Sequence, residues 1–235
     1  MSTATTVAAA EVLAALESVR DPELDESLPA LGFVGRIDVD GTRVAVGLRL
    51  PTYFCAPNFA YLMVADARRE VAALPGVDVV EIELEDHFAA DEINGAVVAG
   101  RGFEGAFPGE TDGSLDELRE LFRRKALLAR QSRVADALLA TGRRPAELAG
   151  LSVAELPAGE DARRALELRA ELGLDHAAAD PAFVRPDGSR LGAAEIERWL
   201  RFARLVRLSL EGNGGLCRGL LKTRYGIPDP EEVAA

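Results

Sequence analysis

Hydrophobic positions recur with two different periods along the N-terminal third, and these periods predict its first elements. The first apolar run has helical spacing: Val12, Leu13, Leu16 and Val19. It stops at Asp21-Pro22, because proline biases the residue before it away from the α region. The pattern therefore predicts a first helix that ends at this point.

Two alternating runs follow, and they predict a hairpin. Ile37 and Val39 alternate with polar residues before Asp40-Gly41, and the alternation resumes from Val44 to Leu50. Asp-Gly between two alternating runs is the strongest short signal for a β-hairpin.

A second helix and a third strand complete this region. Proline in the first turn favours a helix that begins near Pro57, and Pro75-Gly76 ends it. The run from Val77 to Leu84 predicts a third strand, reached through the helix, so the order is αββαβ with a mixed three-stranded sheet.

Beyond this region the periodicity changes. Residues 87–113 are rich in glycine and predict a linker or a functional loop, and residues 114–235 show mainly helical spacing. We therefore expect an α+β chain with a small αββαβ domain over residues 1–86, followed by a mostly α-helical domain of unassigned role.

Composition narrows the function classes. A hydrophobic content of 48% supports a packed core, and a net charge of -12 disfavours nucleic acid and anionic membranes as partners. The apolar stretch Ala4–Leu16 contains Glu11 and is too short to span a bilayer, so we interpret it as an amphipathic helix and not a signal peptide. These features predict a cytoplasmic protein.

Two cysteines and two histidines limit the chemistry. Two cysteines are too few for a disulfide scaffold, so each is expected to be a free thiol in a reducing compartment. Cys55 lies just before the predicted second helix, where unpaired N–H groups and the helix dipole favour thiolate over thiol. Such a sulfur can ligate a soft metal or act as a nucleophile.

Several short motifs in register carry a family resemblance. They are Asp21-Pro22-Glu23, Pro51-Thr52, Cys55 and Leu74-Pro75-Gly76-Val77. Over the N-terminal third they resemble the SufT/PaaD-like metal-sulfur (iron-sulfur) cluster assembly family. The spacing of His87 and Asn94 further resembles the cytosolic iron-sulfur targeting branch.

The resemblance implies that Cys55 delivers or inserts iron or a transient iron-sulfur cluster, with Asp21, Glu23, Thr52 and Asn94 in supporting positions. It also implies a client metalloprotein, with an oxygenase as one class of client, or a second assembly component. In this chain the aromatic Phe54 precedes Cys55 and would shield its sulfur.

Cys217 and His87 are the other candidates for metal or thiol chemistry. Cys217 lies in Gly212–Gly219, which predicts either a helix-turn-helix connection with a packed small residue or a site shared with Cys55. Its basic neighbours Lys222 and Arg224 would lower a thiol pKa. His87 could be a ligand, an acid or base, or a capping residue.

One thiol cannot hold a cluster that normally needs four ligands, so stable binding requires a homodimer, a client or a second site. The sequence thus favours a non-catalytic maturation factor acting through Cys55. Two alternatives remain open: a protein-interaction chaperone for a metalloenzyme with no metal role of its own, and a thiol enzyme with Cys55 as nucleophile and His87 as base. For Asp21 and Glu23, loop anchoring through backbone N–H bonds is favoured over metal ligation.

Overall fold

The computed structural model describes residues 7–109 and 115–227. The described residues leave out three stretches in which predicted domain boundaries fall: 1–6, 110–114 and 228–235.

Two compact units divide the chain. The first contains the described residues up to Leu115 together with those from Asn213 onward, and the second is Asp116–Gly212. The first unit is therefore built from two separate stretches of sequence.

The first unit is α+β, as predicted. Its elements are α1 (Ala9–Leu16), α2 (Leu28–Leu31), β1 (Val34–Asp40), β2 (Arg43–Arg49), α3 (Pro57–Ala72), β3 (Val79–Glu85), α4 (Ala90–Ala99) and α5 (Gly102–Ala106). The strand order is β1-β2-β3, with β1 antiparallel and β3 parallel to β2. The mixed three-stranded sheet is thus confirmed, with α3 as the crossover between the parallel strands.

The Asp-Gly turn sets the register of the hairpin. Asp40 pairs with Arg43, and Gly41 has a φ of +61°, a conformation that glycine adopts without the cost of a side chain. This register buries Val44, Val46 and Leu48 on the core side of β2.

Residues 87–109 contain two helices where a glycine-rich linker or loop was expected. Ile93, Ala96 and Val97 recur at helical spacing and are buried, so α4 presents an apolar face to the core. A glycine inside a helix costs about 1 kcal/mol relative to alanine, and burial of this face outweighs that cost. The glycine frequency alone did not reveal this face.

The second unit is mostly helical, as predicted. It contains α6 (Asp116–Ala140), α7 (Pro145–Leu148), a short 3-10 helix (Val153–Glu155), α8 (Glu160–Glu171) and most of α9 (Ile196–Tyr225). Its larger core includes Phe183 and Trp199, whose rings meet edge to face with centroids 5.9 Å apart.

Helix α9 continues through Gly212–Gly219, where a helix-turn-helix connection was one expectation. From Asn213 onward it belongs to the first unit, where Leu221 is only 2% exposed in the core. Burial of this leucine and an ion pair between Arg218 and Glu26 keep the helix in place despite its glycines.

Within residues 7–109 and 115–227, no helix combines the length and the apolar character needed to cross a membrane.

Candidate thiol site

Cys55 lies on the short connection between β2 and α3. Ala56 is the N-cap of α3 and Pro57 its first residue, so the cysteine directly precedes the helix entrance. Its side chain is half-buried and packs against the core of the first unit. The residue is thus packed against the core on one side and partly exposed to solvent.

Two side chains hold this connection. Thr52 places its Oγ1 3.3 Å from the Sγ of Cys55. His87, after β3, donates from Nε2 to the backbone carbonyl of Cys55 at 2.7 Å, and its Nδ1 accepts from the N–H of Ala89 at 3.2 Å. Because both ring nitrogens bind backbone groups, His87 positions the Cys55 backbone and has no free nitrogen directed at the sulfur.

The environment of His87 favours the neutral ring. Burial lowers its pKa, the Cys55 carbonyl opposes that shift, and the charge of Arg224 lowers the pKa further. The arrangement lacks the sulfur-to-imidazole hydrogen bond that a Cys-His nucleophile pair uses.

Asn94 supports the same segment from α4. Its Oδ1 accepts from the N–H of Leu84 at 2.9 Å, and its Nδ2 donates to the Leu84 carbonyl at 3.2 Å. The amide therefore fastens α4 to the end of β3, from which the chain leads to His87.

Asp21 anchors the loop after α1. Its Oδ1 accepts from the N–H groups of Glu23 at 2.8 Å and Leu24 at 2.9 Å. Burial raises its pKa to about 6, although both hydrogen bonds oppose the shift. The carboxyl thus makes the backbone contacts expected of a loop anchor.

The last part of α9 packs beside this loop and the thiol connection. Asn213 donates from Nδ2 to Glu23 Oε1 at 3.3 Å, and Arg224 donates to the Leu50 carbonyl at 3.1 Å. Cys217 lies between these contacts on the helix, is half-buried, and packs against the same core as Cys55. The fold therefore brings the two thiols of the chain into one region of the first unit.

The pKa of the Cys217 thiol differs from the sequence expectation. Basic neighbours were expected to lower it, but burial raises it to about 11. Electrostatic interactions with Asp21, Cys55 and Glu23 add to the rise, and Arg218 opposes it. The basic residues that follow in sequence do not outweigh the acidic surface on which the helix packs.

An exposed aromatic cluster adjoins Cys55 and was missed by the sequence reasoning. Phe54 is 75% exposed and does not seal the sulfur from solvent, contrary to the shielding expected for it. Its ring centroid lies 5.0 Å from that of Tyr53 and 5.8 Å from that of Phe88. Two adjacent aromatic residues in a loop were the available signal, but Phe88 joins them only through the fold.

In the described part of the chain, no three or more His, Cys, Asp or Glu side chains are grouped so that they could hold a metal ion.

Comparison with known proteins bears on the N-terminal third. No curated protein and no solved structure significantly matches the chain. Residues 9–84 match the family described as "Iron-sulfur cluster assembly protein", a stretch that includes Asp21 and Cys55 but not His87, Asn94 or Cys217. The match supports a role in iron-sulfur cluster assembly, and over this third it confirms the predicted resemblance.

Proposed function

We propose that the protein is a maturation factor that takes up iron or an iron-sulfur cluster as cargo through Cys55 and passes it to a client metalloprotein. An oxygenase is one class of client that the resemblance suggests. We place this role in the cytoplasm, where reducing conditions keep both thiols free. The observation that carries the proposal is the half-buried Cys55 thiol, fixed before α3 inside the stretch that matches the family.

The contacts around Cys55 support transfer rather than storage. Thr52 lies at the sulfur, and His87 holds the carbonyl of the same residue, so the thiol has a defined position. Clusters normally have four ligands, and the described residues supply two thiols. The remaining ligands would come from the client or from a second copy of the chain, which leaves the cargo easy to release.

We propose that Cys217 is the second thiol ligand and that it binds the cargo more slowly than Cys55 does. Its pKa of about 11 keeps it protonated at neutral pH, so binding of iron or a cluster must displace a proton. Cargo affinity that depends on Cys217 should therefore rise with pH.

The test is anaerobic reconstitution with ferrous iron and sulfide, followed by transfer to an apo-ferredoxin as acceptor. Wild type, Cys55→Ser and Cys217→Ser are compared by iron and sulfide content, visible absorbance and the rate of ferredoxin formation. Cys55→Ser should lose both uptake and transfer. Cys217→Ser should still take up iron and sulfide but bind them more weakly. Its affinity for this cargo should rise less steeply with pH than that of the wild type.

Circular dichroism and thermal unfolding control for folding of both variants. Full transfer by Cys55→Ser would overturn the metal role. Retained client binding by that variant, with no iron in the wild type, would instead indicate an interaction chaperone. Turnover of a small thioester that depends on Cys55 would indicate the thiol enzyme.

A further inference from the structure

We propose that the exposed cluster of Tyr53, Phe54 and Phe88, here called the aromatic cluster, is the docking surface for a cationic segment of a partner protein. The segment would carry Lys or Arg together with apolar side chains. The inference rests on the proposed function only in making this partner the protein that receives or supplies the cargo at Cys55.

The aromatic cluster is both exposed and ordered. The three side chains are 48%, 75% and 45% exposed, in sequence order. The N–H of Phe88 donates to the Tyr53 carbonyl at 3.1 Å, which ties the two contributing segments together. His87, whose ring centroid is 4.9 Å from that of Phe88, fixes the second segment to the Cys55 backbone. Rigid aromatic anchors lose little conformational entropy on binding and dominate many protein interfaces.

Charge around the aromatic cluster identifies the occupant as cationic. Asp91 and Glu92 are exposed in the first turn of α4, three and four residues after Phe88. Within the described part of the chain, neither carboxylate forms an ion pair with a basic side chain. Aromatic faces attract guanidinium and ammonium groups, and nearby carboxylates strengthen that attraction.

The nearby cation, Arg224, is already engaged. Its guanidinium donates to the carbonyls of Leu50 and Asp86 and lies over the Tyr225 ring, 5.1 Å from the centroid. With a net charge of -12 on the whole chain, the surface repels nucleic acid and anionic lipid. The guanidinium or ammonium groups of a basic protein segment would bind both to the aromatic faces and to the carboxylates.

The position of the aromatic cluster gives docking a consequence. Tyr53 and Phe54 immediately precede Cys55, so a segment held on these rings is held beside the thiol. A partner ligand carried near that segment would reach the cargo without a separate search.

The experiment selects short random peptides displayed on phage against the full-length chain and measures the affinity of the recovered peptides by fluorescence anisotropy. The recovered peptides should be rich in Lys or Arg with at least one apolar anchor. Phe54→Ser should weaken their binding about tenfold or more, since loss of a central aromatic anchor typically has this effect. Asp91→Asn with Glu92→Gln should weaken binding less and reduce its dependence on salt.

Val98→Ser is the matched control, because Val98 is an apolar side chain of the same unit that is 62% exposed. It should leave the affinity unchanged. Acidic or uncharged peptides, recovery of no peptide that depends on Phe54, or equal affinity for Phe54→Ser would each overturn the proposal. So would a dimer of the wild-type chain that Phe54→Ser dissociates, since the occupant would then be a second copy.

Cys55→Ser separates this inference from the proposed function. That variant should bind the same peptides with unchanged affinity while losing iron, and Phe54→Ser should still take up iron and sulfide. If the wild type binds the peptides but takes up no iron, only the proposed cargo role is contradicted. If the wild type takes up iron but its peptide binding does not depend on Phe54, only the proposed docking surface is contradicted.

Discussion

Arg169 and Gln131 of the second unit contrast with Cys55 of the first unit in burial. In the second unit, Arg169 is 1% exposed and donates to the carbonyls of Pro181 and Ala182, while Gln131 exchanges two hydrogen bonds with the backbone of Val184. In the first unit, Cys55 remains partly exposed next to the aromatic cluster. Buried polar groups are normally hydrogen-bonded within the protein, so these contacts give Arg169 and Gln131 a structural role, whereas the exposure of Cys55 accords with the ligand-binding role that we propose for it.

The largest expected loss of stability follows from removal of the Arg169 side chain. Arg169→Ala should lower the free energy of unfolding by roughly 2–4 kcal/mol, because it leaves buried carbonyls without a donor. Urea unfolding followed by Trp199 fluorescence measures this in the right unit. Arg163→Ala is the control: its side chain is 61% exposed and pairs with Glu167, so its removal should cost less than about 1 kcal/mol. Equal effects would refute the structural role of Arg169.

The second prediction concerns the helix that supplies Cys217. Leu221→Ala should cost roughly 2–4 kcal/mol, since Leu221 is buried in the core of the first unit. It should also increase the rate at which Cys217 reacts with a thiol reagent in a Cys55→Ser background. Leu220, 40% exposed, is the adjacent control and should have little effect on either measurement. If Leu220→Ala equals Leu221→Ala, the packing of this helix face is misassigned.

The third prediction is that burial of the Asp21 carboxyl lowers the free energy of unfolding at neutral pH. Its folded pKa of about 6 exceeds the usual 3.8, so its contribution to stability is present below pH 4 and is lost as the pH rises to 6. The difference of about two pKa units corresponds to about 3 kcal/mol. Asp21→Asn keeps an acceptor oxygen for the backbone and should remove this loss, so the variant is more stable than the wild type at pH 7.

Urea unfolding at several values between pH 4 and pH 7, followed by circular dichroism, measures the slope. The same substitution should lower the pKa of Cys217 from about 11, because Asp21 contributes to that rise. An unchanged slope in Asp21→Asn would show that another group titrates.

The smallest effect is expected at His87. His87→Ala removes the donor to the Cys55 carbonyl, and loss of one such hydrogen bond, worth about 1 kcal/mol, should speed alkylation of Cys55 roughly fivefold. The measurement uses a Cys217→Ser background at constant pH. His87→Gln, which retains a donor, should restore the slower rate; a rate equal to that of His87→Ala would argue against positioning through this bond.

Local patterns predicted much of the first unit because short-range rules control it. The turn at Asp40-Gly41, the helix that begins at Pro57 and the strand that ends at Glu85 all follow from neighbouring residues. Helix α4 was missed because Gly95 within it and Gly100 directly after it concealed the apolar face of Ile93 and Val97.

The candidate site was predictable only in part. Cys55 could be placed before a helix from its neighbours, and the structure confirms that placement. The packing of Cys217 against the first unit depends on contacts such as Arg218 with Glu26, which are 192 residues apart.

The first unit takes its core from two stretches of the chain that the second unit separates. Leu221 completes its core, yet the whole second unit precedes this leucine in the chain. Because domains generally fold from the N-terminus as the ribosome extends the chain, the segment bearing Cys55 is made before the second unit and Leu221 only after it. A newly made polypeptide would thus bring its two thiols into one region only after the whole second unit has been synthesised.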